Sequence, residues 1–369
     1  MTANPMTTLM ERAYDEARPM TVQLELTYKC NLLCSFCYNS PLGRQELTGD
    51  QWIPALDKLK QAGTFTITLT GGEPMCHRDF FDIAQGVRDR GFVLKTYTNG
   101  VLLADRRKAE RYAVLAPFAT EISLHGADAS THDRLTGIRG SFDKLLVALG
   151  HLSELDVKVT LKTPITRLNQ KQLPGIEELG ARYGYLVTFD TNIVPTDDGD
   201  LSPLSLAAST EFMASFFVEQ ARNGRRGLER RPVEKMKQNC GVGRTTMAIN
   251  PYGDIFPCMA WRRRLGNIVE VADLKELWHG GESENLSYVR KVADEVPKAT
   301  LAPHEEGGFA TFCPAVAEKE TGNPYSFYPA ARVSGLTKLE AYRRLNGTDN
   351  AAPTEKKGPR GVASSGGTT

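Results

Sequence analysis

The chain lacks the features that would place it in a membrane or outside the cell. No apolar run approaches the length needed to span a bilayer. Residues 1–20 (MTANPMTTLMERAYDEARPM) carry charges and no apolar core, so no signal peptide is read there. Neither sign of charge is in excess: 45 Lys and Arg face 44 Asp and Glu, a formal net charge of +1. That balance gives no reason to expect a nucleic acid or an anionic membrane as partner. Histidine is sparse, at six residues, and cysteine comes to an odd seven in 369 residues. The odd count argues against a disulfide framework and for a reducing, cytoplasmic setting. A zinc knuckle would need two C-x-x-C pairs, and Cys34 and Cys37 make the single one.

What the chain does have is three thiols, Cys30, Cys34 and Cys37, packed into the run LELTYKCNLLCSFCYNS directly after a strand-like stretch. Closed structural metal sites take four protein ligands. A cubane iron–sulfur cluster gripped by three thiolates keeps one iron open for chemistry. The short spacing puts all three sulfurs in one loop, where they can hold three corners of a single cluster.

One strand later comes TFTITLTGGEP, residues 64–74. Thr alternating with Phe, Ile and Leu is a strand composition. Gly71 and Gly72 at its carboxyl end let backbone approach a ligand closely. Glu73 is expected to offer a carboxylate to an ammonium group. Gly-Gly-Glu-Pro alone would equally be an ordinary strand-to-helix turn; beside the cysteine loop it carries more weight.

Together these motifs resemble the radical S-adenosylmethionine (radical SAM) superfamily. Its three-cysteine loop, with an aromatic residue before the last cysteine, is matched by Cys30, Cys34, Phe36 and Cys37. Its glycine-rich motif is matched by Gly71, Gly72, Glu73 and Pro74, and LKTYTNG (94–100) and EISLHGADASTHDRLTG (121–137) look like its next strands and loops. Strand candidates at 22–27, 65–70, 92–97, 119–124, 156–163 and 185–193 alternate with amphipathic stretches at 48–63, 78–91 and 141–156. That alternation argues for βαβ units and a parallel sheet. The fold class expected is α/β, a partial (β/α)6 TIM-like barrel with a small carboxyl-terminal α+β extension, and functional residues at the carboxyl ends of the strands.

The resemblance implies a [4Fe–4S] cluster on Cys30, Cys34 and Cys37, with S-adenosylmethionine (SAM) chelating the open iron and the Gly71–Glu73 turn binding its ammonium. Asn99, Ser123 and Lys162 fall at strand ends where family members contact the ribose and carboxylate of SAM. Asn and Ser there are also common turn formers. His125, in SLHG, is expected to point toward the active-site mouth and, with Asp190, is a catalytic candidate; His132 lies in the next loop. Imidazole suits proton handling near neutrality.

Cys240, Cys258 and Cys313 remain, with Cys76, which is read as a packing residue. Gly253 stands before Cys258 in INPYGDIFPC, where PYGD reads as a tight turn between two short strands. The layout resembles the twitch and SPASM extensions of the superfamily. Four cysteines beyond the loop are too few for two further clusters, so one auxiliary [4Fe–4S] cluster at most is expected. Val316 stands where a C-x-x-C would put another thiol, so either one iron is open or a fourth ligand comes from elsewhere, His304 or an acidic residue. Three unrelated buried thiols are the plain alternative.

The boundaries read from the sequence are an N-terminal segment (1–20), the barrel (21–200), a connecting helical segment (201–239), the auxiliary domain (240–330), and a short helix with a disordered tail (331–369). The basic clusters ARNGRRGLERR (221–231) and WRRR (261–264) read as solvated surface, or else as contacts to an acidic substrate. Residues 349–369 are too poor in apolar side chains to order themselves. By the resemblance, the first expectation is radical modification of a peptide or protein. The segment before the first strand is short for a separate peptide-recognition domain, which counts against it. The second is a dehydrogenase or mutase of a small molecule, and the third a non-catalytic accessory protein. A reducing partner such as flavodoxin or ferredoxin is implied for either enzyme.

Overall fold

The computed structural model describes residues 5–224, 227–280 and 283–346. After helix α1 (Pro5–Asp15), six strands follow: β1 (Thr21–Thr27), β2 (Thr66–Gly71), β3 (Val93–Thr98), β4 (Ala119–Ser123), β5 (Val159–Pro164) and β6 (Leu186–Asp190). Between them lie α2 (Gly49–Gln61), α3 (Phe80–Asp89), α4 (Arg106–Val114), α5 (Ala129–Thr136), α6 (Ser141–Glu154) and α7 (Leu173–Arg182). All six expected strands form, within a few residues of their expected ends. Asp105 caps α4 and Asp128 caps α5 through their side chains.

The strands are parallel; β3 and β4 alternate sharply in burial, whereas β2 is buried along nearly its whole length. Leu24, Leu69, Leu94, Ile122 and Leu161 bury one face of the sheet in a core shared with Leu56 and Leu59 of α2, Ile83 and Val87 of α3, and Leu145 and Leu149 of α6. The opposite face is polar and carries Glu25, Thr70, Tyr97, Glu121 and Lys162. The sheet order β6-β5-β4-β3-β2-β1 is open, as a partial barrel requires.

Beyond α8 (Thr210–Arg222) the sheet resumes. Strand β7 (Thr246–Ile249) pairs in parallel with β1, and β8 (Asp254–Phe256) and β9 (Gly266–Asn267) follow antiparallel. The expected hairpin is therefore present, and the sheet runs without a break through residue 240. Helix α9 (Leu274–His279) joins the first core through Leu274 and Trp278, whereas α10 (Glu284–Val296) and α11 (Pro314–Thr321) build a second core around Val289, Val292, Val296, Phe312 and Val316. The last helix, α12 (Pro329–Asn346), has 18 residues, longer than the short helix expected, and packs against α8. The expected disordered stretch 349–369 lies outside the described residues. Among the described residues no helix is long and apolar enough to cross a membrane.

Candidate active site

The loop after β1 is pinned by backbone bonds to the end of α5. Leu33 N donates to Thr136 O (2.8 Å), Ser35 N to Leu135 O (3.0 Å), and Cys37 N to Cys34 O (3.1 Å). Gly137, at φ +71, lies so close that a Cβ there would come within 2.7 Å of Leu33 O. Held this way, the three thiols oppose each other's ionisation. Cys34 is pushed up to about 12, first by burial and then by Cys37 and Cys30. Burial also raises Cys30, although Leu32 N donates to its sulfur at 3.4 Å. Among the described residues no three His, Cys, Asp or Glu side chains are arranged to hold a single metal ion. Three thiols in one pinned loop that feel one another's charge suit the corners of a cluster, whose irons would favour the thiolates.

The turn after β2 shows why two glycines are needed. A Cβ on Gly71, at φ +137, would lie 2.3 Å from Thr27 O, and one on Gly72 would lie 2.5 Å from Lys29 O. Gly72 N and Glu73 N bind those same carbonyls at 2.7 and 2.9 Å. Glu73 corrects the sequence expectation. Its carboxylate is fully buried and already accepts from Thr98 Oγ1 (2.8 and 2.9 Å), Asn99 N (2.8 Å) and Met75 N (3.1 Å). Burial outweighs these donors and pushes its pKa up to about 7. The side chain ties the end of β2 to that of β3.

The other predicted residues gather at the same end of the sheet. Asn99 Nδ2 donates to Asn31 Oδ1 at 2.8 Å and lies 3.8 Å from Cys30 Sγ, so β3 touches the cysteine loop. Ser123 stands opposite Lys162 in register, and the Lys162 ammonium lies 3.3 Å from Glu121. Asp190 ends β6, its side chain accepting from Asn192 N at 3.0 Å. His125 is the second correction. Its ring is 4% exposed and backs Phe36 edge-on at 5.0 Å, with His132 stacked behind it at 5.5 Å. Burial lowers its pKa to about 3 and that of His132 to about 4. The pair is a neutral platform under the loop and is closed to the mouth. Cys76 Sγ rests 4.0 Å from Asn31 Oδ1.

Cys240, Cys258 and Cys313 come from three separate segments. Cys240 precedes β7, Cys258 leaves the β7–β8 hairpin, and Cys313 is the N-cap residue of α11. Gly253, at φ +83, makes the hairpin turn, where Asn250 Oδ1 accepts from Tyr252 N and Asp254 N at 3.0 and 2.9 Å. Backbone amides of Ala260 and Trp261 point at Cys258, and those of Ala315 and Val316 at Cys313. Cys258 is pushed up to about 12 by burial, then by Cys313 and Cys240. Mutual repulsion with backbone N–H groups aimed at sulfur is a donor set suited to an iron–sulfur cluster. Val316 is buried core, and the ring of His304 packs on Phe327 at 4.9 Å.

The WRRR cluster is the third correction: all three arginines pair with carboxylates of the protein itself, and Arg262 is largely buried, although Arg264 stays half-exposed. Arg262 binds Glu25 and Asp197, Arg263 binds Glu318, and Arg264 binds Asp254. Sequence reasoning missed Glu25, Asp197 and Lys319 altogether. A glutamate in the otherwise apolar strand LEL was the available signal, since a buried carboxylate needs a partner.

An open parallel sheet with three thiols at its mouth and three more beside it defines an iron–sulfur protein. Residues 24–177 match the radical SAM superfamily, and residues 240–299 match an iron–sulfur cluster-binding domain, SPASM. The chain is 27% identical over 344 residues to the AdoMet-dependent heme synthase of Methanosarcina barkeri, covering 84% of this chain and 97% of that protein. It is 29% identical over 302 residues to the PqqA peptide cyclase of Rhodopseudomonas palustris, covering 72% of this chain and 75% of that one. Its fold is also that of Streptococcus suis SuiB bound to the precursor peptide SuiA, with a TM-score of 0.65 at 16% identity, over 90% of this chain and 82% of that one. The chain belongs to the radical SAM superfamily and carries a SPASM-type extension. It is an enzyme whose cofactors are a [4Fe–4S] cluster, SAM and an auxiliary iron–sulfur cluster.

Proposed function

We propose that the chain is a maturase that abstracts a hydrogen atom from a peptide or protein substrate. When bound, the cluster and SAM supply one-electron cleavage of SAM to methionine and a 5′-deoxyadenosyl radical. Cys30, Cys34 and Cys37 hold three corners of that cluster. Gly71 and Gly72 bring backbone close enough for the SAM ammonium to meet the turn's main chain, since the Glu73 carboxylate is taken. Asn99, Ser123 and Lys162 line the strand ends for its ribose and carboxylate, and Asp190 ends β6, the edge strand of the barrel. Cys240, Cys258 and Cys313 hold the auxiliary cluster. The working setting is a reducing cytoplasm, with a flavodoxin or ferredoxin as electron donor; all seven cysteines stand as free thiols.

The observation that carries the peptide reading is the second cysteine triad, in an extension that matches the SPASM domain, on a chain that is 29% identical over 302 residues to the PqqA peptide cyclase. The small-molecule reading is favoured by one observation: the heme synthase is matched over 97% of its length. Anaerobic protein reconstituted with iron and sulfide, then given SAM and dithionite, releases 5′-deoxyadenosine. A candidate precursor peptide added to that mixture changes mass by two hydrogens or a new crosslink. Turnover of a porphyrin or another small molecule, with every peptide left unchanged, would sink the peptide reading.

A further inference from the structure

The barrel's last strand is unlike the other five. Strands β1 to β5 each bury at least two residues, whereas β6 buries none, although Leu186, Val187 and Phe189 are apolar. Leu186 is 77% exposed. Strand β6 pairs with β5 on one side and ends the sheet on the other, so along that outer side its N–H and C=O groups have no strand partner. A cavity of about 700 Å³ opens beside it, walled by Phe189 of β6, Phe216 and Phe217 of α8, and Leu228. Glu177 and Gln220 also line it and have partners of their own.

A second cavity, of about 370 Å³, adjoins the first. Gly227 lines both, and Lys338 Nζ of the second stands 5.2 Å from the centre of the Phe217 ring of the first. The cations of its wall are Arg231, which donates to Ala310 O, and Lys338, which donates to Thr311 Oγ1 at 2.9 Å. Burial, then the Arg231 charge, lowers Lys338 to about 8. Neither cation has a carboxylate partner among the described residues. By contrast, Arg244, Arg262, Arg263 and Arg264 each hold one. Glu229, exposed where it lines the cavity, accepts from Gly227 N at 3.2 Å. Two part-buried charges of one sign with no anion between them repel, and a bound carboxylate would turn that repulsion into charge-assisted bonds. Cys240 borders this cavity but Cys258 and Cys313 do not, so it lies outside the auxiliary triad.

We propose that β6 and the two cavities form a docking groove for an extended, acidic segment of the substrate peptide. Its backbone pairs with β6, its apolar side chains seat on Phe216, Phe217 and Leu228, and a carboxylate sits between Arg231 and Lys338. The inference rests on the peptide reading above. The unpaired strand edge selects a polypeptide, because main-chain pairing needs a ladder of N–H and C=O groups. The two cations select an acidic one. A segment laid along β6 continues past Asp190 to the carboxyl end of the sheet, where the cysteine loop lies.

The test is fluorescence anisotropy of the full-length, iron-loaded protein with a short labelled peptide in which Ser separates Glu from Leu, so that both fall on one face of a strand. Its controls are the same peptide with Gln for Glu, and the Glu peptide N-methylated at alternate amides. The Glu peptide is expected to bind about tenfold more tightly than either, the worth of one charge-assisted bond. Arg231→Gln and Lys338→Gln should each weaken it by about the same factor, and Leu186→Ser by less. Iron content and melting temperature are read for every variant; should Arg231→Gln melt early, Lys338→Gln decides. Equal affinity for the Glu and Gln peptides, binding of neither, or full binding by Lys338→Gln would overturn the inference. So would a carboxylated porphyrin that binds where the peptide does not. A precursor peptide modified with the same KM by wild type and Lys338→Gln would overturn the groove and leave the peptide reading standing. The labelled peptide bound as expected, with no peptide modified, would overturn that reading and leave the groove.

Discussion

The two cysteine triads are built in opposite ways. Cys30, Cys34 and Cys37 share one loop, fixed by backbone bonds to the end of α5 and backed by the rings of Phe36, His125 and His132. Cys240, Cys258 and Cys313 are brought together from a turn, a hairpin exit and a helix cap. The first needs its neighbours mainly to hold a loop still, whereas the second exists only once β7, β8 and α11 have all docked. Metal affinity should therefore be coupled to folding far more tightly at the second site than at the first.

The largest effect expected is on the first triad. Changing Cys30, Cys34 and Cys37 together to alanine should abolish 5′-deoxyadenosine release while leaving iron at the auxiliary site. An iron-free variant would mean that the second triad does not bind a cluster by itself. Next comes the bolt between the regions. Arg262→Met leaves Glu25 and Asp197 buried without their main partner and should cost roughly 3–5 kcal/mol. Urea denaturation would report it, and a change below about 1 kcal/mol would show that the regions do not depend on this contact.

A smaller effect, about 2 kcal/mol per imidazole, separates the regions by pH. His125 and His132 have folded pKa values of about 3 and about 4, below the usual 6.5. Their neutral forms stabilise the fold fully above pH 6.5, and that stability drains away as pH falls toward 4. Melting curves between pH 7 and pH 5 should steepen this loss in the wild type relative to a His125→Gln variant. Equal slopes would remove the histidines from the account. The smallest effect belongs to the second region. Gly253→Ala places a Cβ at φ +83, 2.9 Å from Asn267 Oδ1, and should cost about 1–2 kcal/mol. Auxiliary iron content should fall, with 5′-deoxyadenosine release unchanged.

Much of the first region was legible because its chemistry is local. The spacing of Cys30, Cys34 and Cys37, the glycines at 71 and 72, and the strand–helix alternation each depend on neighbours in sequence. Roles that depend on direction were not legible. Glu73 lies at the expected turn, but its side chain points into the protein, where Thr98 and Asn99 meet it. His125 follows its strand as expected, yet the sheet's pleat and Phe36 close it off. Arg262 looked like surface because its partners, Glu25 and Asp197, are distant in sequence. The glutamate in the strand LEL marks that a partner is needed, but nothing local says which residue it is.

The parallel pairing of β7 with β1 has a consequence for how the molecule can be divided. Strand β1 carries Val22, Leu24 and Leu26, all fully buried, and has β2 on one side and β7 on the other. A chain cut at residue 239 would turn this interior strand into a long, flat, apolar edge, the kind that recruits other chains and aggregates. The carboxyl-terminal extension thus acts as the protective rim of the catalytic barrel as well as a holder of iron, and the two halves are not separable modules.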